Sequence, residues 1–367
     1  MTQNELTEYL TKITPPDAAC MDRARRRQAE LAKPPGSLGR LEDYAVRLAG
    51  ITGEVCPRVE KCRVLVFAAD NGVVAEGVSS APPSVTLSQV INMTRHVTGM
   101  SALAHYFGNE VVVADVGIDT DRTIPGVLDC KLRRSTGNIA RESAMTRQEA
   151  LDAIAVGIRL AGQAAADGVQ TVGIGEMGIG NTTTSAAVLA ALTESSPETV
   201  TGRGGGLTDA AFAKKKQVIA QALALHRPDA ADPVGVIAAV GGLDLAAMTG
   251  AFLGCAAAHI PAVVDGYISA VAALCAVRLC PKVRDYLFLS HASYEIGYRL
   301  AAQELGLEPC LLLEMRLGEG SGCPVFFQIL KAACAAMSGM ATFAEAAIQD
   351  DYLDPIRAAD SFTVKRP

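Results

Sequence analysis

Several kinds of residue are scarce in this sequence. Tryptophan is absent, and aromatic residues make up only 5% of the 367 residues. Because apolar residues still make up 50%, a core must consist mainly of Ala, Val, Leu and Ile, which suits helices packed on a parallel sheet. The net charge of −6 argues against a general nucleic-acid-binding surface. A phosphorylated ligand would therefore need a local basic cluster.

Metal and export signals are also missing. The ten cysteines include no Cys-x-x-Cys pair and have no nearby His to complete a zinc pattern. We expect them to be small buried side chains in a reduced, cytoplasmic protein, with no metal and no cofactor. Residues 1–9 are polar, unlike a signal peptide. The apolar run 246–262 contains His259 and several glycines, so it predicts a buried helix and not a membrane span.

From residue 63 onward, short apolar runs alternate with helical patterns. This alternation predicts an α/β fold, a Rossmann-like parallel sheet with helices on both faces. The predicted strands are 64–68, 111–114, 171–174, 236–240, 262–264, 286–289 and 311–315, and the predicted helices between them include 148–166, 209–226, 243–258 and 293–305. In such sheets, ligands bind beyond the carboxyl ends of the strands.

The segments at the two ends of the chain have a different composition. The first 55 residues are charged and helical in pattern, interrupted by Lys33-Pro34-Pro35-Gly36, and the residues after 323 are rich in Ala. We therefore predict a large α/β domain at 60–322 and a small helical subdomain formed by 1–59 and 323–367.

Two glutamates lie in glycine-rich turns that follow apolar runs. Glu176 is in Gly175-Glu176-Met177-Gly178, and Glu319 is in Leu317-Gly318-Glu319-Gly320. Glycine permits positive φ and a close approach of the backbone to a ligand. Glu319 could be a general base, or it could cap the helix predicted from Gly322; the sequence alone favours neither.

Two further glycine-rich segments suit an anion. The run from Gly178 to Thr183 opens a predicted helix, whose N-terminus could hold a phosphate or ribose groups. The run Gly202-Arg203-Gly204-Gly205-Gly206 precedes a helix that contains Lys214, Lys215 and Lys216, of which at least two should be solvated. Asp265 ends another predicted strand and could bind ribose hydroxyls or cap a helix. Ser290-His291 lacks a Gly-x-Ser-x-Gly elbow, so we do not expect a serine hydrolase.

Five motifs together resemble one known family. They are Lys33–Glu42, Ala75–Ser79, Gly175–Thr183, Val264–Gly266 and Arg316–Gly322, and they occur in the order found in nicotinate-nucleotide:dimethylbenzimidazole phosphoribosyltransferases, the CobT family. The resemblance spans nearly the whole chain. It implies transfer of phosphoribose from nicotinate mononucleotide to an aromatic base, giving an α-ribotide for cobamide assembly.

The resemblance also implies roles for individual residues. Glu319 is expected to be the catalytic base, with Glu176 near the ribose and the reacting centre. The expected phosphate- and ribose-binding residues are Gly178, Gly180, Asn181, Thr182, Arg203, Gly204, Gly205, Lys214, Asp265 and Ser293. The expected acceptor-base pocket contains Ser80, Gln89, Met177 and Leu317. The family forms homodimers, and no nucleic acid or membrane partner is expected.

Alternatives remain at this point. The segment 80–89 and the residues Asn71, Gly205 and Tyr294 differ from the family's usual residues. These differences also suit a relative that activates phenol or p-cresol, or a non-catalytic subunit paired with a paralogue in a heterodimer. A dinucleotide-dependent oxidoreductase is disfavoured, because no Gly-x-Gly-x-x-Gly with a following acid is present.

Overall fold

The computed structural model describes residues 1–359. Its centre is a six-stranded sheet in which every neighbouring pair is parallel. The strands are β1 (Cys62–Ala69), β2 (Glu110–Gly117), β3 (Leu128–Asp129), β4 (Thr171–Met177), β5 (Ala262–Val264) and β6 (Leu287–Leu289). Every residue of β1 and β4 is buried, as expected for central strands of a parallel sheet.

The strand order is β3-β2-β1-β4-β5-β6, which is the Rossmann order. The order reverses between β1 and β4, which pair directly from Cys62 with Thr171 to Ala68 with Met177. Connections leave these two strands in opposite directions, and so a crevice opens beyond their carboxyl ends. Asp70 follows β1 at this edge, and Glu176 is the second-last residue of β4.

The described residues form fifteen α-helices. They are α1 (Gln3–Thr11), α2 (Ala18–Glu30), α3 (Arg40–Thr52), α4 (Ser84–Thr94), α5 (Gly99–Tyr106), α6 (Arg147–Ala166), α7 (Asn181–Thr193), α8 (Pro197–Val200), α9 (Asp209–His226), α10 (Pro233–Val240), α11 (Leu243–Ala257), α12 (Tyr267–Leu279), α13 (Ile296–Leu305), α14 (Gly322–Gly339) and α15 (Asp354–Ala359). Short 3₁₀ helices occur at Gly72–Glu76, Pro281–Tyr286 and Asp351–Leu353.

Small side chains let the core helices approach closely. α6 begins with a capping box in which Thr146 and Glu149 satisfy each other's backbone N–H groups. α6 packs on α11. A Cβ added to Gly157 of α6 would collide with the backbone of Ala247 and Ala251 of α11. In this way a core poor in aromatic residues still reaches close packing, because backbone meets backbone.

The parallel α/β fold predicted from the sequence is confirmed, but two predicted strands are wrong. Residues 236–240 belong to helix α10, which starts with Pro233 in the first turn, where its missing N–H is not needed. A short apolar run does not distinguish a buried strand from a buried helix. In 311–315 only Leu311 pairs, in a bridge to His291, because Glu314 has a φ of 54° and breaks the extended run. The short strand β3 was not predicted.

The chain forms two compact units. The larger contains Met1–Thr14 and Lys61–Phe326, and therefore the whole sheet; the smaller contains Pro15–Glu60 and the described residues that follow Phe326. In the smaller unit, Leu31 pairs with Thr342 in an antiparallel bridge. The domain boundaries at 59/60 and 322/323 stay predictions, and residues 360–367 lie outside the described part of the chain.

Helix α14 is the one helix of the described residues that is long and apolar enough to cross a membrane. Half of it is buried inside the protein, as is usual for a core helix that passes the same test. This is weak support for a membrane segment.

Candidate active site

A cavity lies at the carboxyl ends of the central strands. It is lined by residues that follow β1, β4, β5 and β6 and by the turn that precedes α14. Of the sixteen residues that the sequence placed in the site, all but Lys214 line this cavity. The sheet therefore gathers side chains that are more than 200 residues apart in sequence, from Ser80 to Glu319.

The turn that carries Glu319 has an uncommon backbone. Gly318, Glu319 and Gly320 have φ values of 82°, 64° and 85° in succession. Glycine adopts this left-handed region freely, but at Glu319 it costs about 1–3 kcal/mol. Such strain persists only where surrounding contacts hold it, and it is common at functional sites.

Three backbone N–H groups of this turn donate to two buried carboxyl groups. Glu319 N donates to Glu176 Oε1 at 3.3 Å. Gly320 N and Gly322 N donate to Asp265 Oδ2 and Oδ1 at 3.1 and 2.7 Å. Asp265, and not Glu319, therefore caps α14, which leaves the Glu319 carboxylate available to the cavity.

The Glu319 carboxylate is held by two donors at the cavity wall. Gln89 Nε2 donates to its Oε1 at 3.1 Å, and Met100 N donates to its Oε2 at 3.4 Å. The residue is only 5% exposed. Two donors leave further lone pairs on the carboxylate, so that it can accept a proton from a bound ligand.

Glu176 lies deeper and is in a different electrostatic environment. Asn181 Nδ2 donates to both Glu176 Oε2 and Asp244 Oδ2 and so bridges the two acids. Burial, with a further contribution from the charge of Asp244, raises the pKa of Glu176 to about 8. Burial likewise raises the pKa of Asp244 to about 6. At neutral pH, Glu176 is therefore mostly protonated and can donate a hydrogen bond.

The glycine-rich segment after β4 leads directly into α7. Gly180 has a φ of 93°, and a Cβ at this position would lie 2.5 Å from Val74 Cγ2. α7 begins at Asn181, so its N-terminus and the side chain of Thr182 face the cavity. The positive end of the helix dipole favours an anion here.

The lysine beside this segment is Lys215. Its Nζ donates to Thr182 Oγ1 at 2.9 Å and to Gly202 O at 3.1 Å. It is 1% exposed, and burial lowers its pKa to about 8, against the opposing effect of Glu295. Lys214, predicted from the sequence, is exposed; neither lysine lines the cavity, but Lys215 bonds to Thr182, which does. A step of about 100° per residue turns Lys214 away from its neighbour.

The sequence contained a signal for this lysine. The buried residues of α9 are Lys215, Val218, Ile219 and Ala222, which have the spacing of the inner face of a helix. A lysine on an apolar face needs a polar partner inside the protein. The spacing alone therefore distinguishes Lys215 from its two neighbouring lysines.

The other predicted phosphate-binding residues also line the cavity. Arg203 is half exposed, and its guanidinium also donates to Leu207 O and Asp209. Gly204 N–H donates to Glu295, a cavity residue that was not predicted and whose pKa burial raises. Ser293 lines the cavity, whereas both oxygens of Asp265 already accept hydrogen bonds from the Glu319 turn.

The cavity also has apolar side chains in its lining. Met177 and Leu317 line it together with Val78, Ala81 and Val85, and Ser80 and Gln89 add polar atoms. A flat aromatic ring suits such a lining, with Gln89 and Glu319 as the hydrogen-bonding groups at one edge.

Comparison with known proteins decides the family. The model of the phosphoribosyltransferase family DBI_PRT matches residues 13–348. The chain belongs to this family. The resemblance found in the motifs is therefore confirmed.

The sequences of named relatives align with this chain along nearly their whole lengths. Proteins named nicotinate-nucleotide–dimethylbenzimidazole phosphoribosyltransferase from Clostridium perfringens and Geobacter metallireducens are 47% and 48% identical to this DBI_PRT chain. The alignments cover 98% and 94% of this chain and 99% and 98% of the relatives. The crystal structure of CobT from Thermus thermophilus superposes with a TM-score of 0.87 at 41% identity, covering 90% of this chain and 99% of that one.

Proposed function

We propose that this chain transfers the phosphoribosyl group of nicotinate mononucleotide to 5,6-dimethylbenzimidazole. The products are nicotinate and an α-ribotide, the activated lower ligand for assembly of a cobamide. The relatives' names support this reaction, and none of the relatives described above is named for a phenol acceptor or a non-catalytic role. The observation that carries the proposal is the pairing of Glu319 and Glu176 in one cavity, whose lining also includes the N-terminus of α7 and several apolar side chains.

The N-terminus of α7 would hold the 5′-phosphate. The α7 N-terminus and Thr182 line the cavity, and Lys215, which does not itself line it, donates to Thr182 Oγ1, so its charge would favour a phosphate bound there. Arg203 at the mouth adds positive charge. The apolar lining would hold the acceptor ring between Met177 and Leu317, which would bring its nitrogen to the ribose C1′.

The chemistry requires one proton acceptor. Glu319 takes the N–H proton of the acceptor while the ring nitrogen attacks C1′ from the face opposite to nicotinate. The C1′–N bond to nicotinate breaks, and its electron pair neutralises the pyridinium nitrogen, so the leaving group needs no acid. Inversion at C1′ converts the β-nucleotide into an α-ribotide. Glu176, protonated at neutral pH, donates to a ribose oxygen and orients the sugar.

The test replaces one carboxylate by its amide. Glu319→Gln keeps the shape of the side chain but removes the proton acceptor, so kcat should fall by about 10²–10⁴-fold while nicotinate mononucleotide still binds. The matched control is Glu314→Gln, which makes the same change at another left-handed residue that is exposed and does not line the cavity. Calorimetry measures binding, and nicotinate release measures turnover. Turnover of Glu319→Gln within a few-fold of wild type would refute the assignment.

The other expectations from the sequence stay predictions. They are a homodimer, a cytoplasmic location, no metal or cofactor, and no nucleic acid or membrane partner. Light scattering of the purified chain tests the first of these directly.

A further inference from the structure

Asp265 follows β5, and hydrogen bonds hold both its backbone N–H and its carboxylate. It is 2% exposed, and its own N–H donates to Ser269 Oγ, which in turn donates to Ile174 O in the neighbouring strand β4. Its backbone is therefore tied to the centre of the sheet. The side chain points to the Glu319 turn and not into solvent.

Both oxygens of Asp265 bind the same turn. Oδ2 accepts from Gly320 N at 3.1 Å, and Oδ1 accepts from Gly322 N at 2.7 Å. These residues flank the start of α14 and directly follow Glu319. A carboxylate is well suited here because it presents two acceptors and its charge opposes the positive end of the helix dipole.

We infer that Asp265 is a positioning residue for the proposed base Glu319, acting through the turn and not by contact with substrate. The inference rests on the proposed function. The left-handed conformation of Glu319, between two glycines that adopt it freely, must be maintained against its backbone strain. Two bonds from a carboxylate anchored in the sheet maintain it, together with the bond from Glu319 N to Glu176.

The competing assignment is that Asp265 binds ribose or phosphate. To turn toward a ligand, the carboxylate would have to release buried N–H groups of the turn, and a second negative charge beside a phosphate would be repulsive. His291 Nδ1 lies 3.9 Å from Oδ1, and that ring also contacts Ser290 Oγ at 2.9 Å. The carboxylate is thus surrounded by protein groups that hold it in place.

The test is a double-mutant cycle. In Asp265→Asn one oxygen becomes an NH₂ group that faces a backbone N–H, so the turn loses one bond and gains a repulsion. We expect kcat to fall by about 10²-fold and the Kd for nicotinate mononucleotide to change by less than about threefold. In the double variant with Glu319→Gln, turnover should equal that of Glu319→Gln alone, because the positioned base is already gone.

Two results would overturn the inference. A Kd weakened by more than about tenfold would show that Asp265 contacts the nucleotide, and multiplicative effects in the double variant would show that it acts independently of Glu319. If Asp265→Asn does not fold, Asp265→Ser replaces it, since the smaller side chain leaves room for a water.

A matched control separates positioning from general turn stability. Asp115 is also a buried aspartate at a strand end, and its Oδ1 accepts from Gly117 N and Ile118 N at 3.0 and 2.9 Å. Its turn does not line the cavity. Asp115→Asn should keep kcat within about threefold of wild type.

Failure of the proposed function itself would be visible separately, as a lack of nicotinate release by the wild type. The turn is then still testable by amide hydrogen exchange, since Asp265→Asn should speed exchange in the peptide 317–322 in the absence of any substrate. Unchanged exchange there would contradict the inference.

Discussion

Gly175 offers a way to move Glu319 without touching its side chain. It lies within strand β4, one residue before Glu176. A Cβ at this position would lie 2.5 Å from both N and Cα of Gly320 and 2.7 Å from the carbonyl carbon of Glu319. These are backbone atoms of the turn, so no flexible side chain can move aside. Gly175→Ala should therefore displace the proposed base.

The size of the effect follows from these distances. Non-bonded carbon atoms pack at about 3.5–4.0 Å, so the turn must retreat by about 1 Å. β4 is hydrogen-bonded to β1 on one side and to β5 on the other, so the strand itself cannot shift to make room for the added Cβ. A misplacement of about 1 Å costs about 10²-fold in rate, which corresponds to about 2.7 kcal/mol in the activation free energy. Overpacking should also lower the free energy of unfolding by about 1–3 kcal/mol.

The assay is nicotinate release at saturating nicotinate mononucleotide, with folding checked by circular dichroism. The control is Gly162→Ala in α6, where an added Cβ meets no atom within 4 Å. Alanine suits a helix better than glycine, so this variant should gain about 0.5–1 kcal/mol in stability and keep its kcat. A folded Gly175→Ala variant with kcat within about threefold of wild type would refute the reasoning.

Two more predictions concern charges buried beside the cavity. Lys215→Met should raise KM for nicotinate mononucleotide by roughly 10–100-fold, since a charged hydrogen bond is lost, whereas Lys214→Met should leave KM unchanged in the same steady-state assay. If both variants behave alike, the phosphate is bound elsewhere. The pKa of Glu176 is raised from 4.5 to about 8. Between these pH values the folded state keeps a proton on Glu176 that the unfolded state has lost, so the free energy of unfolding of the wild type should fall as the pH rises through this range. Urea unfolding at pH 5 and at pH 8 measures this loss of unfolding free energy, which should be smaller in Glu176→Gln than in the wild type. An equal loss in both proteins would contradict the raised pKa of Glu176.

The sequence predicts the sheet well wherever an apolar run ends in a polar residue and a helix follows. The failures have a common physical cause. Residues 236–240 and 311–315 are apolar runs of strand length, but α10 is buried on a layer of helices, and Glu314 turns the chain out of the extended conformation. The local pattern of apolar residues does not distinguish a segment buried in the sheet from one buried among helices, because tertiary packing decides between them.

The site was predictable because its residues follow strands, and parallel strands end at one edge. What the sequence did not reveal is which groups bond to each other. Asp265 and Glu319 are distant in sequence, and their relation through Gly320 and Gly322 depends on the register between β4 and β5. The choice between Lys214 and Lys215 depended on the rotation of α9, for which the apolar spacing did contain a signal.

The central claim is the transfer itself, and one experiment tests it most directly. The purified chain is incubated alone with nicotinate mononucleotide and either 5,6-dimethylbenzimidazole or phenol, and the products are identified by mass spectrometry and NMR. The account predicts nicotinate release with 5,6-dimethylbenzimidazole and an α-ribotide product. Folded protein that releases no nicotinate with this acceptor, or that forms a β-ribotide, would contradict it.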